Sequence, residues 1–319
     1  MPEKFPYSAA TGEFLEPLSI PVVRPQRYFL HVLLFLLTVL TTLFWGAYLM
    51  ITFESRGTTL GPMDFLNQVA IHPSLLYKGV GYSFSILLIL LAHEMGHYLT
   101  CCYYGINATL PFFLPAPIAW TGTFGAFIRI RSPFPDRKSL FDVGLAGPIA
   151  GFVAALPFIY FGLKWSALVP KTSDQVYLFD PLIFRIIAGN LPTQDYLLHP
   201  VGFAGWFACL ATSLNLLPIA QLDGGHVSYA LFRKGAYFIT WIFFGALLTL
   251  AVYGFTKSFV SGTQWIFYCV LLLILKKLVG FRHPPTWNDD LPIGWARKVW
   301  GVIALIVFIL TFMPVTIFS

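Results

Sequence analysis

The sequence predicts an all-α polytopic membrane protein with about six or seven transmembrane helices, and two observations lead to this fold class. The 319 residues are 57% hydrophobic with a mean hydropathy of +0.73, and only 11% are charged. Soluble domains carry about 25% charged residues, and disordered chains have high charge and few aromatic residues, so both classes are excluded. Seven apolar runs are close to the length of about 20 residues that spans a bilayer: 29–53, 79–104, 141–163, 200–222, 236–255, 263–281 and 299–318.

Residues 1–28 are polar and rich in proline, which predicts an extended cytoplasmic tail. They contain neither a short apolar core nor a small-residue cleavage site, so we do not expect a signal peptide. Nothing in them resembles a Ser- and Arg-rich transit peptide, which favours a bacterial cytoplasmic membrane over a plastid membrane. Residues 29–319 are predicted to form a single transmembrane domain, because no loop is long enough to fold as a separate domain.

The distribution of Lys and Arg predicts the orientation in the membrane. With the N-terminus inside, fourteen of the 20 Lys and Arg residues lie on inner segments and six on outer ones, as the positive-inside rule requires. The net charge of +6 therefore reflects membrane topology, and we expect no nucleic-acid partner. The four cysteines lie in apolar runs and predict no disulfide framework: Cys101, Cys102, Cys209 and Cys269.

Residues 105–135 interrupt the helical pattern between the second and third apolar runs. The segment is too rich in Pro and Gly for a regular helix and too apolar for a solvated loop. Residues 124–131 partly alternate in polarity, which predicts a re-entrant or membrane-associated β-hairpin at the inner membrane surface. An unwound substrate could pair with it as an added strand; alternatively, the hairpin only seals the helix bundle. The candidate substrate-binding residues are Phe124, Gly125, Ala126, Phe127 and Ile128.

The second apolar run carries the motif H-E-x-x-H as His93-Glu94-Met95-Gly96-His97. The spacing of four residues puts both imidazoles on one helix face, one turn apart, so both can bind a single zinc ion. Glu94 lies beside them, where it can take a proton from a zinc-activated water molecule. Each ionisable side chain in a membrane helix costs about 2.5–3.5 kcal/mol, which favours function over the alternative of a polar cluster that pairs helices.

The fourth apolar run supplies the third ligand that such a zinc site needs. Pro218 should break the helix, and the two glycines after Asp223 allow a close approach, so Asp223 becomes a buried carboxylate that requires a cation. His93 and Asn215 each lie about 21 Å from the outer end of their run, so the two motifs should meet. Asn215 either donates a hydrogen bond to the scissile carbonyl or caps the helix break. For Asp223, the alternative is a helix-terminal carboxylate at the membrane interface.

Together these motifs resemble the site-2 proteases, a family of intramembrane zinc metalloproteases. The resemblance covers roughly residues 79–232 and rests on three motifs: His93-Glu-Met-Gly-His97, Asn215-x-x-Pro218 followed by Asp223-Gly-Gly, and Gly147-Pro148-Ile-Ala-Gly151. Two further segments resemble the group without PDZ domains that occurs in cyanobacteria, plant chloroplasts and other bacteria: Thr123–Pro133 and His283-Pro-Pro-Thr286.

This resemblance implies that His93, His97 and Asp223 bind one zinc ion and that Glu94 is the catalytic acid and base. It implies hydrolysis of a peptide bond in or near the transmembrane segment of a membrane-anchored substrate, often after an upstream protease has shortened that substrate. The expected partners are a single-span membrane protein and membrane lipid, and the upstream protease is a further candidate.

Two other function classes remain open. A membrane zinc protease of the prenyl-protein-processing or heat-shock type would use Glu as its third zinc ligand, but every acidic residue after Glu94 is Asp. A metal transporter or other non-proteolytic membrane protein is the second alternative. A transporter should carry polar residues across both halves of the bilayer, whereas the ionisable groups here cluster at one depth.

Overall fold

The computed structural model describes residues 28–56, 60–117, 121–168, 177–178, 180–189, 196–219, 221–257, 259–279, 285–314 and 317–318. Helices make up 74% of the structure, which confirms a mostly helical fold. A 3-10 helix covers Pro73–Gly79, and the α-helices are α1 Tyr28–Glu54, α2 Pro62–Ile71, α3 Val80–Tyr103, α4 Arg137–Trp165, α5 Leu182–Ala188, α6 Pro200–Asn215, α7 Asp223–Phe232, α8 Gly235–Lys257, α9 Phe259–Val279 and α10 Trp295–Thr311. The predicted tail up to residue 27 and the residues 283–284 lie outside the described parts.

Within the described residues, six strands form three small antiparallel pairs. They are β1 Phe112–Pro115, β2 Thr123–Phe127, β3 Ala167–Leu168, β4 Tyr177–Leu178, β5 Tyr196–Leu197 and β6 Ile317–Phe318. The strand β1 pairs with β2, β3 with β5, and β4 with β6.

Four helical segments in the described parts are long and apolar enough to cross a membrane, by length and composition. They are Tyr28–Glu54, Pro73–Tyr103, Arg137–Trp165 and Gly235–Lys257. The other predicted spans correspond to α6, α9 and α10, which are not among these four. The number of six or seven spans therefore remains a prediction.

The predicted helix break at Pro218 is confirmed, and the helix of the fourth apolar run is shorter than the run itself. The helix α6 ends at Asn215, seven residues before the predicted end at 222, and the separate helix α7 begins at Asp223. Proline cannot donate a backbone hydrogen bond, so the helical pattern stops before Pro218. The last helical amides are those of Leu216, which bonds to Thr212, and Leu217, which bonds to Leu214.

The helix α4 lies at the centre of the bundle and contacts α3, α6, α7, α5 and α10. Its N-terminus carries a capping box in which the Asp136 side chain accepts from the Ser139 amide at 2.8 Å. Near its other end, Gly162 lies directly against Gly202 of α6, so neither position has room for a side chain. These contacts bring α3, α6 and α7 to one central helix, and that convergence positions the candidate site.

The predicted β-hairpin is present as β1 and β2, which pair Phe112 with Phe127. Three side chains of α1 donate hydrogen bonds to its backbone: His31 Nδ1 to the Pro111 carbonyl at 3.0 Å, Thr41 Oγ1 to that of Gly122 at 2.6 Å, and Trp45 Nε1 to that of Pro117 at 3.0 Å. His31 and Trp45 are about 21 Å apart along α1 at 1.5 Å per residue. The hairpin therefore runs alongside α1 over about this length, and its position relative to a membrane stays a prediction.

Candidate metal centre

Two helices bring the three predicted zinc ligands together. The helix α3 carries His93 and His97, and Asp223 is the first residue of α7. The two Nε2 atoms lie 3.2 Å apart, and each lies 3.3 Å from Oδ2 of Asp223. Within the described parts of the chain, this is the one group of His, Cys, Asp or Glu side chains that could hold a metal ion.

These separations fit a tetrahedral zinc site. Zinc binds imidazole nitrogen and carboxylate oxygen at about 2.0–2.2 Å, which separates two ligand atoms of a tetrahedron by about 3.3–3.6 Å. The observed 3.2 and 3.3 Å are close to this value. Two neutral imidazoles and one carboxylate also form a donor set that zinc prefers, with one position left for a further ligand.

A hydrogen bond to a backbone carbonyl shows which ring nitrogen of His97 carries the proton. Nδ1 of His97 lies 2.7 Å from the Val143 carbonyl of α4, and a carbonyl can only accept a hydrogen bond. The proton of the neutral ring is therefore assigned to Nδ1, which leaves a lone pair on Nε2. That lone pair is directed at His93 and Asp223, as a metal ligand requires.

Two glycines of α4 make room for the imidazoles. A Cβ atom at Gly147 would overlap the His97 ring, and one at Gly151 would lie 3.0 Å from Nδ1 of His93. The pair lets α4 pack closely against α3, and the space is taken by the two imidazoles of the candidate metal site.

The position of Asp223 depends on the irregular segment between α6 and α7. A Cβ atom at Gly224 would overlap the carbonyl of Leu216, so the start of α7 lies directly against the end of α6. The carboxylate of Asp223 lies in the first turn of α7, where the helix dipole favours negative charge. The local chain therefore brings Asp223 back towards the α3 imidazoles immediately after the helix break.

Glu94 contacts the hairpin. Its side chain is buried, with 6% of its surface exposed, and its carboxyl accepts a hydrogen bond from the backbone of Ile128. The peptide groups of the next residue, Arg129, bond to Thr109 instead. The Arg129 amide donates to Thr109 Oγ1, and the Arg129 carbonyl accepts from the Thr109 amide, both at 3.0 Å. Peptide groups alternate between the two edges of a strand, so Ile128 presents its amide on the edge away from β1.

The predicted substrate-binding segment 124–128 thus ends at the metal centre. Phe124 and Phe127 are exposed, while Gly125 has a φ of +100° and lies where the strand register shifts by one residue, as in a β-bulge. In the two-stranded pair of β1 and β2, the edge with Ala126 and Ile128 is the one that β1 leaves open. The structure brings this open edge next to Glu94.

Asn215 lies beside the metal ligands. It is the last residue of α6, it is half-buried, and its Nδ2 atom lies 3.3 Å from Nε2 of His93. The two motifs therefore meet, as the sequence predicted. The side chain faces the site, where it can donate hydrogen bonds.

The buried side chain of Arg137 holds α7 through hydrogen bonds to backbone carbonyls. Nη1 of Arg137 donates to the Ala230 carbonyl of α7 at 2.9 Å, and Nη2 donates to the Leu291 carbonyl at 2.8 Å. The Tyr229 hydroxyl also donates to Oδ2 of Asp289 at 2.9 Å. The segment 285–294 thus holds the helix that carries the third ligand. No local sequence pattern announces such contacts, because the acceptors are mostly backbone atoms.

Comparisons with known proteins give a family match and named relatives. The profile of peptidase family M50 matches residues 81–252. The chain is 30% identical over 312 residues to the protein of Arabidopsis thaliana named "Probable zinc metalloprotease EGY1, chloroplastic", covering 91% of this chain and 53% of that protein. The rice protein of the same name (Oryza sativa subsp. japonica) is also 30% identical over 312 residues, covering 90% and 50%. The chain spans about half the length of these relatives.

Proposed function

Since this chain belongs to peptidase family M50, we propose that it is an intramembrane zinc metalloprotease. It hydrolyses a peptide bond in or near the transmembrane segment of a membrane-anchored protein. The observation that carries the proposal is the set of three ligand atoms 3.2–3.3 Å apart, next to a buried glutamate on a helix that is apolar enough to span a membrane. The relatives named as zinc metalloproteases support zinc as the metal.

In this mechanism His93, His97 and Asp223 hold one zinc ion per chain. Zinc bound there supplies a Lewis acid that polarises the scissile carbonyl and activates a water molecule. Glu94 accepts the proton of the attacking water and later donates a proton to the leaving amine. The Ile128 amide holds the Glu94 carboxyl in place, and Nδ2 of Asn215 donates to the oxyanion as the carbonyl is attacked.

We further propose that the substrate binds in extended form along the open edge of β2. A helical substrate hides its carbonyls in its own hydrogen bonds, so the segment around the cut must unwind. The peptide groups of Phe124–Ile128 then offer hydrogen bonds to replace those that are lost, as in other cases of strand addition. The contact between Ile128 and Glu94 supports this, because the same edge leads to the catalytic group.

The proposed setting is an integral membrane protein with six or seven spans, whose active site opens to the side that holds the N-terminus. Membrane lipid and a single-span substrate are the proposed partners, and an upstream protease that shortens the substrate is a further one. The expectation of a bacterial cytoplasmic membrane gains no support from the relatives, whose names describe them as chloroplastic.

A cleavage assay with metal analysis tests the proposal. The full chain, purified in detergent, is incubated with candidate single-span substrates, and the products are read by mass spectrometry. Glu94→Gln should retain about one zinc per chain and lose cleavage by about 10²–10⁴-fold, whereas His93→Ala should lose both. A protein in vesicles that moves zinc across the membrane and cleaves none of the substrates would instead be a transporter.

A further inference from the structure

Two exposed arginines continue the strand that leads to the catalytic glutamate. Arg129 and Arg131 follow Ile128 at the base of the hairpin, and both are exposed. Arg129 makes no ion pair with any residue that the structure describes. Residues two apart on a strand point to the same face, so the two guanidinium groups lie on one side, together with the exposed Phe127.

The backbone contacts set the distance from the arginines to the chemistry. The Ile128 amide bonds to Glu94, so strand position 128 lies at the catalytic group. The next positions are held in register by Thr109 and Asn107, since the Arg131 amide donates to the Asn107 carbonyl at 2.7 Å. At about 3.3 Å per residue, Arg131 lies about 10 Å from Ile128 along the strand direction, beyond the catalytic end of the hairpin.

We propose that Arg129 and Arg131 select substrates with an acidic side chain within about four residues of the cleaved bond. The acidic residue lies on the side of the cut nearer the base of the hairpin. This inference rests on the proposed function, and on a substrate that pairs with the open edge of β2. Side chains opposite each other on paired strands lie about 4.5–5.5 Å apart, within reach of an ion pair with arginine.

The charge of these arginines also explains how ordinary membrane proteins are rejected. Most spans carry Lys or Arg at their cytoplasmic ends, and these would face Arg129 and Arg131 with the same charge. Specificity is a difference between affinities, so repulsion of common spans contributes as much as attraction of acidic ones. At an exposed position each ion pair changes affinity by up to about fivefold. With two arginines, we therefore expect kcat/KM for acidic substrates to exceed that for basic ones by about tenfold or more.

A charge-reversal experiment tests the inference. Three versions of one cleaved single-span substrate carry Asp, Asn or Lys at the residue two positions from the cut, on the side near the hairpin base. The wild type should cleave them with kcat/KM in the order Asp, Asn, Lys. A variant with Arg129→Glu and Arg131→Glu should reverse this order while retaining its zinc. Lys298→Glu, which changes an exposed charge on α10, should leave the order unchanged.

The outcomes separate this inference from the proposed function. The double Arg→Glu variant could instead lose kcat/KM equally on all three substrates, with the loss relieved in vesicles rich in anionic lipid. The arginines would then bind lipid headgroups, and this result would overturn the inference alone. Failure of the wild type to cleave any membrane substrate would overturn the proposed function. Binding of fluorescent versions of the three peptides to the Glu94→Gln protein measures the charge preference without cleavage. An absent preference there would also overturn the inference.

Discussion

Nδ1 of His97 donates a hydrogen bond to the carbonyl of Val143 at 2.7 Å, so the second metal-binding imidazole is oriented by α4 and not by its own helix. The same stretch of α4 makes room for the ring at Gly147. The His97 ring therefore keeps this orientation only when α3 and α4 pack closely. Variants that disturb the packing test this dependence.

Enlarging Gly147 should damage the metal site. In Gly147→Ala the new methyl group would overlap the His97 ring and push Nε2 away from Asp223. Disturbing the group that orients a metal ligand typically costs about 10–100-fold in metal affinity. We expect a loss of at least this size, measured by competition with a zinc chelator. The control is Gly245→Ala in α8, where no atom lies within 4 Å of the added Cβ. Equal zinc affinity in both variants would contradict the packing argument.

Removing the Ile128 amide should slow catalysis without loss of metal. Ile128→Pro deletes the donor to Glu94. A hydrogen bond to a charged group contributes about 1.5–3 kcal/mol, so kcat should fall by about tenfold or more. Steady-state kinetics and zinc analysis of the same preparation measure both effects.

Two matched variants control for side effects of the proline. Ile128→Val keeps the amide and should retain nearly full activity. Ile130→Pro removes the next amide on the same edge, which does not reach Glu94, and it should cost less in kcat. A larger loss in Ile130→Pro than in Ile128→Pro would show that strand distortion, and not the Glu94 contact, limits the rate.

Arg137 should contribute to both stability and zinc affinity. Arg137→Gln leaves the buried carbonyl of Ala230 without its donor, at a cost of about 1–3 kcal/mol, and also removes the donor to the exposed residue Leu291. Because Ala230 lies on the helix that begins with Asp223, zinc affinity should fall together with the unfolding temperature. Arg137→Lys should be intermediate, and Lys138→Gln serves as the neighbouring control. A variant with lowered stability but unchanged zinc affinity would refute the link to α7.

The contacts of Asp289 predict a pH-dependent stability. Burial raises the pKa of this carboxyl, but hydrogen bonds from Thr286 and Tyr229 and the nearby Arg233 charge outweigh it, so the pKa lies below its usual value. A lowered pKa in the folded state means that the stabilisation is fully present above the unfolded value of about 3.9 and is lost as the pH falls through the folded pKa. The unfolding temperatures of wild type and Asp289→Asn should therefore differ at pH 7 and converge in acid. A constant difference across this range would contradict the assignment.

Much of the site could be predicted from local patterns. The spacing of His93 and His97 places both rings on one helix face whatever the rest of the fold does. Pro218 predicts a break wherever it stands in a helix, and α6 does end before it. The alternation after residue 123 predicted a strand, and β2 is present.

Other parts could not be read from the chain. Hydropathy alone does not register the break, so the apolar run 200–222 is longer than the helix α6. The helix α7 was missed, since its short run with two glycines resembles a turn. The packing of the hairpin against α1 was not predicted, because the α1 side chains that contact it lie more than 70 residues away in the sequence.

The sequence by itself determined which residues are available for chemistry: a glutamate beside two histidines on an apolar helix, and an aspartate beyond a helix break. These features follow from residue types and short spacings, which act locally. Only the tertiary structure decided that Val143 orients His97, that Gly147 and Gly151 house the rings, and that Ile128 meets Glu94. Such contacts join distant segments, mostly through backbone atoms that every residue carries, so no residue type marks them in advance.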